Sequence, residues 1–318
     1  MRMPSPHCAK AARCKERPSG ILPEEERTPD ALHHPLRAEP NRLSPSRPCL
    51  FRISHCRSSG ICGRACSLRI EDIDNARARP EFEDAIYEDL TWLGLTWEQP
   101  VRRQSDHLDV YQQALETLRS RSLIYPCFCS RREIRAEIAQ AGAAPHGPGG
   151  PLYPGTCRTL AEDIRAERMA AGDAYALRLD VARATAETGA LTWHDRGQGE
   201  IASDALSYGD VVLARKETPA SYHLAVTLDD HLQGITLVTR GEDLFEATHI
   251  HRLLQALLEL QTPEYIHHPL LLDASGRRFA KRDHALTLRE LRAGGHTPER
   301  LREVVANPEE LSTFLAAL

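Results

Sequence analysis

The sequence predicts an α/β protein built on a parallel sheet, with a smaller unit inserted into it. Three observations carry this reading. Short runs rich in aliphatic and β-branched residues alternate along the chain with segments of helical spacing. A Gly/Pro-rich stretch at residues 141–156 interrupts the pattern midway, where only a loop fits. The 318 residues are 41% apolar and 27% charged, ordinary for a folded globular chain and enough for one large or two small domains.

Residues 1–67 come first and fit this plan badly. They are rich in Pro, Arg, Ser and Cys and hold neither a helical nor a strand period. They read as a disordered extension or as an out-of-frame segment. From Leu68 the patterns change. Leu68 to Ile70 is a short strand running into Glu71 and Asp72. Pro80 stands where a first helical turn tolerates proline, and Phe82, Ile86, Leu90 and Leu93 follow at helical spacing. Leu108, Tyr111, Leu115 and Leu118 mark a second helix. Tyr175 to Leu179, Asp210 to Ala214, His223 to Leu228, Ile235 to Thr239 and His268 to Asp273 read as strands. Thr248 to Leu260 is an amphipathic helix, and the tail from Leu286 is helical.

Charge and cysteine are unevenly spread. Residues 1–67 carry twelve Lys and Arg against six Asp and Glu, while the whole chain has a net charge of −5, so the body is acidic. Such a body is no generic polyanion binder, and any nucleic acid must meet a local basic surface. No window approaches the ~18 consecutive apolar residues of a membrane span. No secretory signal is visible either, so the expected location is the cytoplasm.

Four constellations carry chemistry. Cys127 and Cys129, with Cys157 returning after the glycine-proline loop, are all the cysteines of the body. Thiolates at such spacing suit a tetrahedral zinc ion, and free thiols are the competing reading. Glu71 and Asp72 follow a strand, where α/β folds bind ligands, and a carboxylate there can hold an ammonium group. Alternatively they belong to a solvated turn. Tyr222 and Arg240 lie in or beside predicted strands, and an arginine there can grip a carboxylate. Finally, the cationic loop Gly276 to Arg282 can set Lys281 against a triphosphate.

These motifs stand in a known order. RIEDID, PEFEDAIYEDLTWLGL, YPCFCS, YPGTCR, YHLAV, DDHLQGIT, TRGEDL and GRRFAKR resemble the catalytic core of glutamyl-tRNA synthetases, from about Leu68 to about Arg300. PVRRQS, CSRREI and the cysteine arrangement are similar to the glutamyl-Q tRNA(Asp) synthetase branch. Only 37 residues follow Lys281, too few for the anticodon-binding domain of full-length glutamyl-tRNA synthetases. A truncated enzyme of that kind, or an inactive remnant, are the alternatives.

The resemblance implies a class I synthetase Rossmann-like core with an inserted zinc-containing subdomain. It divides the chain into the non-matching 1–67, core at 68–125, insert at 126–205, second core half at 206–290 and a helical tail at 291–318. It implies Cys127, Cys129, Tyr153 and Cys157 as zinc ligands. Glu71, Tyr222 and Arg240 are implied for L-glutamate, and Lys281 for ATP, with Mg²⁺ accompanying the ATP. The implied partner is the anticodon region of tRNA(Asp) with its queuosine base, met by a monomer. The family's HIGH-type motif is not found in residues 1–67, and with it the first, central strand of the sheet is expected to be lost.

Overall fold

The computed structural model describes residues 66–74, 78–140, 146–147, 150–270 and 288–307, the strand at 34–38, and residues 310, 311 and 314. The strands in chain order are β1 (His34–Ala38), β2 (Cys66–Ile70), β3 (Arg102–Arg103), β4 (Ile124–Cys127), β5 (His146–Gly147), β6 (Gly150–Pro151), β7 (Ala176–Leu179), β8 (Thr192–Asp195), β9 (Gly199–Ala202), β10 (Val212–Arg215), β11 (Leu237–Gly241) and β12 (Glu264–His268). The helices are α1 (Pro80–Trp92), α2 (Leu108–Ser120), α3 (Arg131–Gln140), α4 (Glu162–Ala170), α5 (Val181–Thr188), α6 (Tyr222–Leu232), α7 (Ala247–Leu257), α8 (Leu288–Ala293) and α9 (Pro298–Ala306).

Two parallel sheets form the base. One has the order β1-β2-β3. The other runs β11-β12-β8, with β9 added antiparallel at its edge. Strand β1 approaches β11, so the two sheets abut. Parallel strands need crossover helices, and these bury their apolar stripes on the sheet. Two large apolar clusters result. Tyr111, Leu115 and Leu118 of α2 pack with Leu224 and Leu228 of α6 and Ile250, Leu253 and Leu254 of α7. Leu68 and Ile70 pack with Ile86 and Leu90 of α1 and with Leu288 and Leu301 of the tail helices. A separate antiparallel sheet, β10-β7-β4, stands beside them and carries Cys127 at the end of β4.

Three sequence expectations are corrected. The central strand is not missing, because β1 pairs in parallel with β2 and stands between it and β11. His223 to Leu228 is not a strand but the first half of α6. Residues 224–230 are buried on every side, so the amphipathic period that marks a surface helix is erased. Ser221 at its N-cap accepts a hydrogen bond from the Leu224 N–H, which ends the preceding loop. A strand is found at Glu264–His268, which overlaps the expected His268 to Asp273 only at His268; residues 269–270 are not strand and residues 271–273 lie outside the described residues. Among the described residues no helix is long and apolar enough to cross a membrane.

Candidate active-site cleft

The cleft opens past the carboxyl end of β2, where an open parallel sheet leaves a crevice for ligands. Two residues before Glu71, Arg69 is fully buried in β2 between two apolar neighbours. Its guanidinium donates to Glu71 at 3.0 Å, to Asp230 at 2.9 Å and to the Gln233 side chain at 2.9 Å. Asp229, next along α6, accepts from Arg102 at 2.9 Å, from Gln104 at 2.7 Å and from the Tyr111 hydroxyl at 2.9 Å. Burial alone would favour a neutral Arg69, but Asp230, Glu71 and Asp229 outweigh it and raise its pKa. Buried ion pairs of this kind add little net stability, yet losing one partner strands the rest. Their structural effect is to hold the Glu71 carboxylate at the cleft edge.

The cleft has a volume of about 670 Å³. Glu71, Gln104, Tyr153, Arg178, Tyr222 and His223 are among its lining residues. Behind His223 lies a buried arginine-histidine cluster. Arg240, at the end of β11, donates from Nε to His267 Nε2 at 3.0 Å and from one terminal nitrogen to His251 Nδ1 at 3.1 Å. Its other terminal nitrogen donates to the Thr248 hydroxyl. His267 Nδ1 meets Asp195 Oδ2 at 2.7 Å, and His223 Nδ1 meets His251 Nε2 at 3.1 Å. Burial first, then the charge of Arg240, pull the pKa values of His223 and His267 down to about 4.

The sulfur cluster reaches the cleft through Tyr153, which is one of its lining residues. Cys127 ends β4, Cys129 lies just beyond it, and Cys157 returns after the glycine-proline loop. Their three sulfurs lie within 4.8 Å of one another. The Tyr153 hydroxyl lies 3.3 Å from the Cys127 sulfur and 3.6 Å from that of Cys129. It also accepts from the Cys157 backbone N–H at 2.9 Å. Burial works against a Cys157 thiolate, but hydrogen bonds from Tyr153 and the Phe128 N–H win and lower its pKa. The Arg178 guanidinium lies 3.8 Å from the Tyr153 ring centre and that of Arg168 4.3 Å from the Phe128 ring centre. Positive charge therefore stands beside a site that would carry several thiolates.

The structure thus brings together Cys127, Cys129, Tyr153 and Cys157, and sets Glu71 and Tyr222 on one cleft. Arg240 stands behind His223 and is not among the described residues lining the cleft. Lys281 lies outside the described residues. Sequence reasoning missed Arg69, His223, His251, His267 and Asp195. One signal was present for His251: it falls on the apolar stripe of α7 with Leu254 and Leu258 at helical spacing, where a polar side chain needs a partner.

Over residues 62–307 the chain matches the catalytic domain of class I tRNA synthetases (E and Q). It is similar to the glutamyl-Q tRNA(Asp) synthetase of Rhodobacter capsulatus, with 50% identity over 244 residues, 75% of this chain and 86% of that one. A protein of the same name from Nocardia farcinica is 43% identical over 239 residues, 75% of this chain and 72% of its own length. The crystal structure of a glutamate-tRNA synthetase from Elizabethkingia anophelis shares the fold, with a TM-score of 0.71 at 23% identity. That likeness covers 87% of this chain and 61% of the other.

Proposed function

Because this chain belongs to the family of class I tRNA synthetase (E and Q) catalytic domains, we propose that it activates L-glutamate with ATP and transfers the glutamyl group to the queuosine base of tRNA(Asp). The observation that carries this is the meeting of Glu71 and Tyr222 on one cleft at the carboxyl ends of a parallel sheet. Glu71, held by Arg69, takes the ammonium group of glutamate, and the Tyr222 hydroxyl orients it. Arg240 supplies the positive charge for a glutamate carboxylate. Lys281 draws charge from the ATP phosphates.

The chemistry is positioning and charge neutralisation. A carboxylate oxygen of glutamate attacks the α-phosphorus of ATP, and pyrophosphate leaves, giving glutamyl-adenylate. A nucleophile of the tRNA base region then attacks the acyl carbon and AMP leaves. Mg²⁺ accompanies ATP. The functional division is a core at 68–125 and 206–290, an insert at 126–205 and a tail at 291–318, acting as a monomer. The acidic body meets nucleic acid through a local basic surface. Arg215, beside the cleft, has its pKa lowered by burial and then by the nearby Arg131 and Arg178, and such crowded cations suit a phosphate backbone.

Zinc fits the sulfur cluster. Three thiolates and a phenol oxygen are a tetrahedral donor set, and sulfurs this close leave room for bonds of ~2.3 Å. Cys127, Cys129, Tyr153 and Cys157 would hold the ion, which would pin the insert's loop to β4 at the cleft wall.

Glutamate-dependent ATP–pyrophosphate exchange by the purified chain, without tRNA, tests the activation step. Exchange is expected. Its absence from folded protein would make this chain an inactive member of its family. Labelled glutamate should then enter tRNA(Asp) that carries queuosine and not tRNA(Asp) that lacks it; equal labelling of both would overturn the acceptor assignment.

A further inference from the structure

Resting on the reading that glutamate occupies the cleft, we propose that His223 is a specificity-determining residue, offering an uncharged Nε2–H donor to a carboxylate oxygen of that substrate. Arg240 and His251 are the positioning residues that fix it in that form.

The argument needs only hydrogen-bond chemistry. A guanidinium has donors and no acceptor. The Arg240 terminal nitrogen lies 3.1 Å from His251 Nδ1, so that nitrogen must present its lone pair. An imidazole with a lone pair on Nδ1 is neutral and carries its proton on Nε2. His251 Nε2 lies 3.1 Å from His223 Nδ1, so it donates there. The same reasoning then applies one step on. His223 Nδ1 holds a lone pair, and the His223 proton stands on Nε2. Arg240 and His251 are only 5% and 2% exposed, so water does not compete for these bonds.

His223 is a lining residue of the cleft. Its Nε2 makes no hydrogen bond to a described residue and is not sealed from solvent. The end of the relay is therefore a donor facing the ligand space beside Tyr222. Its depressed pKa agrees with the neutral form that the geometry dictates. Arg240 sets a second histidine in the same way. His267 accepts at Nε2 and must donate from Nδ1 to Asp195, which locks the guanidinium from the other side. The buried charge of Arg240 thus reaches the cleft through a polarised chain, and its guanidinium need not leave its pocket.

Imidazole ¹⁵N chemical shifts of the full chain at neutral pH, followed during a glutamate titration, test this together with exchange kinetics. His223 and His251 are both expected as Nε2–H tautomers, with the His223 Nε2–H signal shifting on glutamate addition. His251→Gln keeps an acceptor towards Arg240 and a donor towards His223. It should leave the His223 tautomer and the KM for glutamate within about threefold of the parent. His251→Leu breaks the chain, should mix the His223 tautomers, and should raise KM about tenfold or more with a smaller change in kcat. An Nδ1–H or protonated His223 in the parent chain would overturn the relay. Intact tautomers with a His223 signal that ignores saturating glutamate, while exchange proceeds, would overturn the substrate contact alone. Intact tautomers with no glutamate binding at all would overturn the assignment of the cleft.

Discussion

The two clusters facing this cleft are assembled in opposite ways. The sulfur cluster is local, with every member between Cys127 and Cys157. The arginine-histidine cluster is distributed and draws Asp195, His223, Arg240, His251 and His267 from β8, α6, β11, α7 and β12. The distributed cluster is held from within, because the Arg240 guanidinium donates to His251 and to His267 and so fixes the tautomer of each. The sulfur cluster has no such closure. Its sulfurs touch at distances such as the 3.4 Å between Cys129 and Cys157, and sulfur is a weak partner for the S–H, Phe128 N–H and Tyr153 hydroxyl groups around it. Burial pushes the Cys129 thiol up to about 12, so a neutral thiol is its form without a cation. One cluster is held by its own hydrogen bonds; the other has the donor set of a metal site.

Metal removal breaks this comparison most sharply and carries the largest expected effect. The purified chain should contain about one zinc ion per molecule, and Cys129→Ser should bring that to near zero. With free zinc at about a thousand times its dissociation constant, stripping the ion should lower unfolding free energy by about 4 kcal/mol. Elemental analysis and urea unfolding with and without chelator measure both. A chain free of metal as isolated, with an unfolding midpoint indifferent to added zinc, would show that the sulfur cluster holds itself after all.

Local and distributed sites also differ in how far sequence reveals them. The cysteines were legible because two lie one residue apart and the third follows a loop that can only turn back. The place of Tyr153 beside the sulfurs was reachable only through family resemblance, since a phenol leaves no spacing signature. The strand at Leu68 to Ile70 and the helix around Leu253 showed their periods plainly. Helix α6 did not, because a helix buried all round loses its polar face, and its run of Ala, Val, Thr and Leu imitates a buried strand. His223 was hidden by that error, since a residue placed on a strand points to alternate faces and gives no relation to α7. Strand β1 was illegible for a different reason: the composition around it resembles no folded segment, and its parallel pairing with β2 is a long-range contact. Arg69 looked like any charged residue until the fold brought Asp229 and Asp230 to it.

The histidines offer the next largest effect. His223 and His267 have folded pKa values near 4, against about 6.5 in an unfolded chain. Between those values the unfolded state binds more protons, so stability rises with pH across the window. The contribution is complete above about pH 6.5 and is lost as pH falls through 4, on the order of 3 kcal/mol for each histidine. His267 faces Asp195 and Arg240, with His268 beside it, and the carboxylate only partly opposes the loss. Urea midpoints measured from pH 7.5 to 4.5 should fall steadily, and less steeply in a His267→Gln variant. Parallel slopes for the two proteins would mean that His267 is not held neutral by its neighbours.

The smallest expected effect lies where the clusters come nearest to sharing a mechanism, in the arginines. Arg240 acts through directed hydrogen bonds, whereas Arg178 acts on the sulfur cluster mainly as a charge lying over the Tyr153 ring. Three thiolates around a divalent ion carry a net negative charge, which that guanidinium offsets. Its removal should therefore weaken zinc binding about fivefold, roughly the 1 kcal/mol of a half-buried cation–π contact. Arg178 also donates to the Asp210 carbonyl at 2.7 Å, so Arg178→Gln will lower stability as well. Chelator competition isolates the first effect and metal-free urea unfolding the second. Arg178→Lys keeps the charge and loses the flat guanidinium, and it should recover most of the metal affinity. If Lys and Gln weaken zinc equally, the guanidinium works by geometry at both clusters, and the contrast between a charged wall and a hydrogen-bonded one disappears.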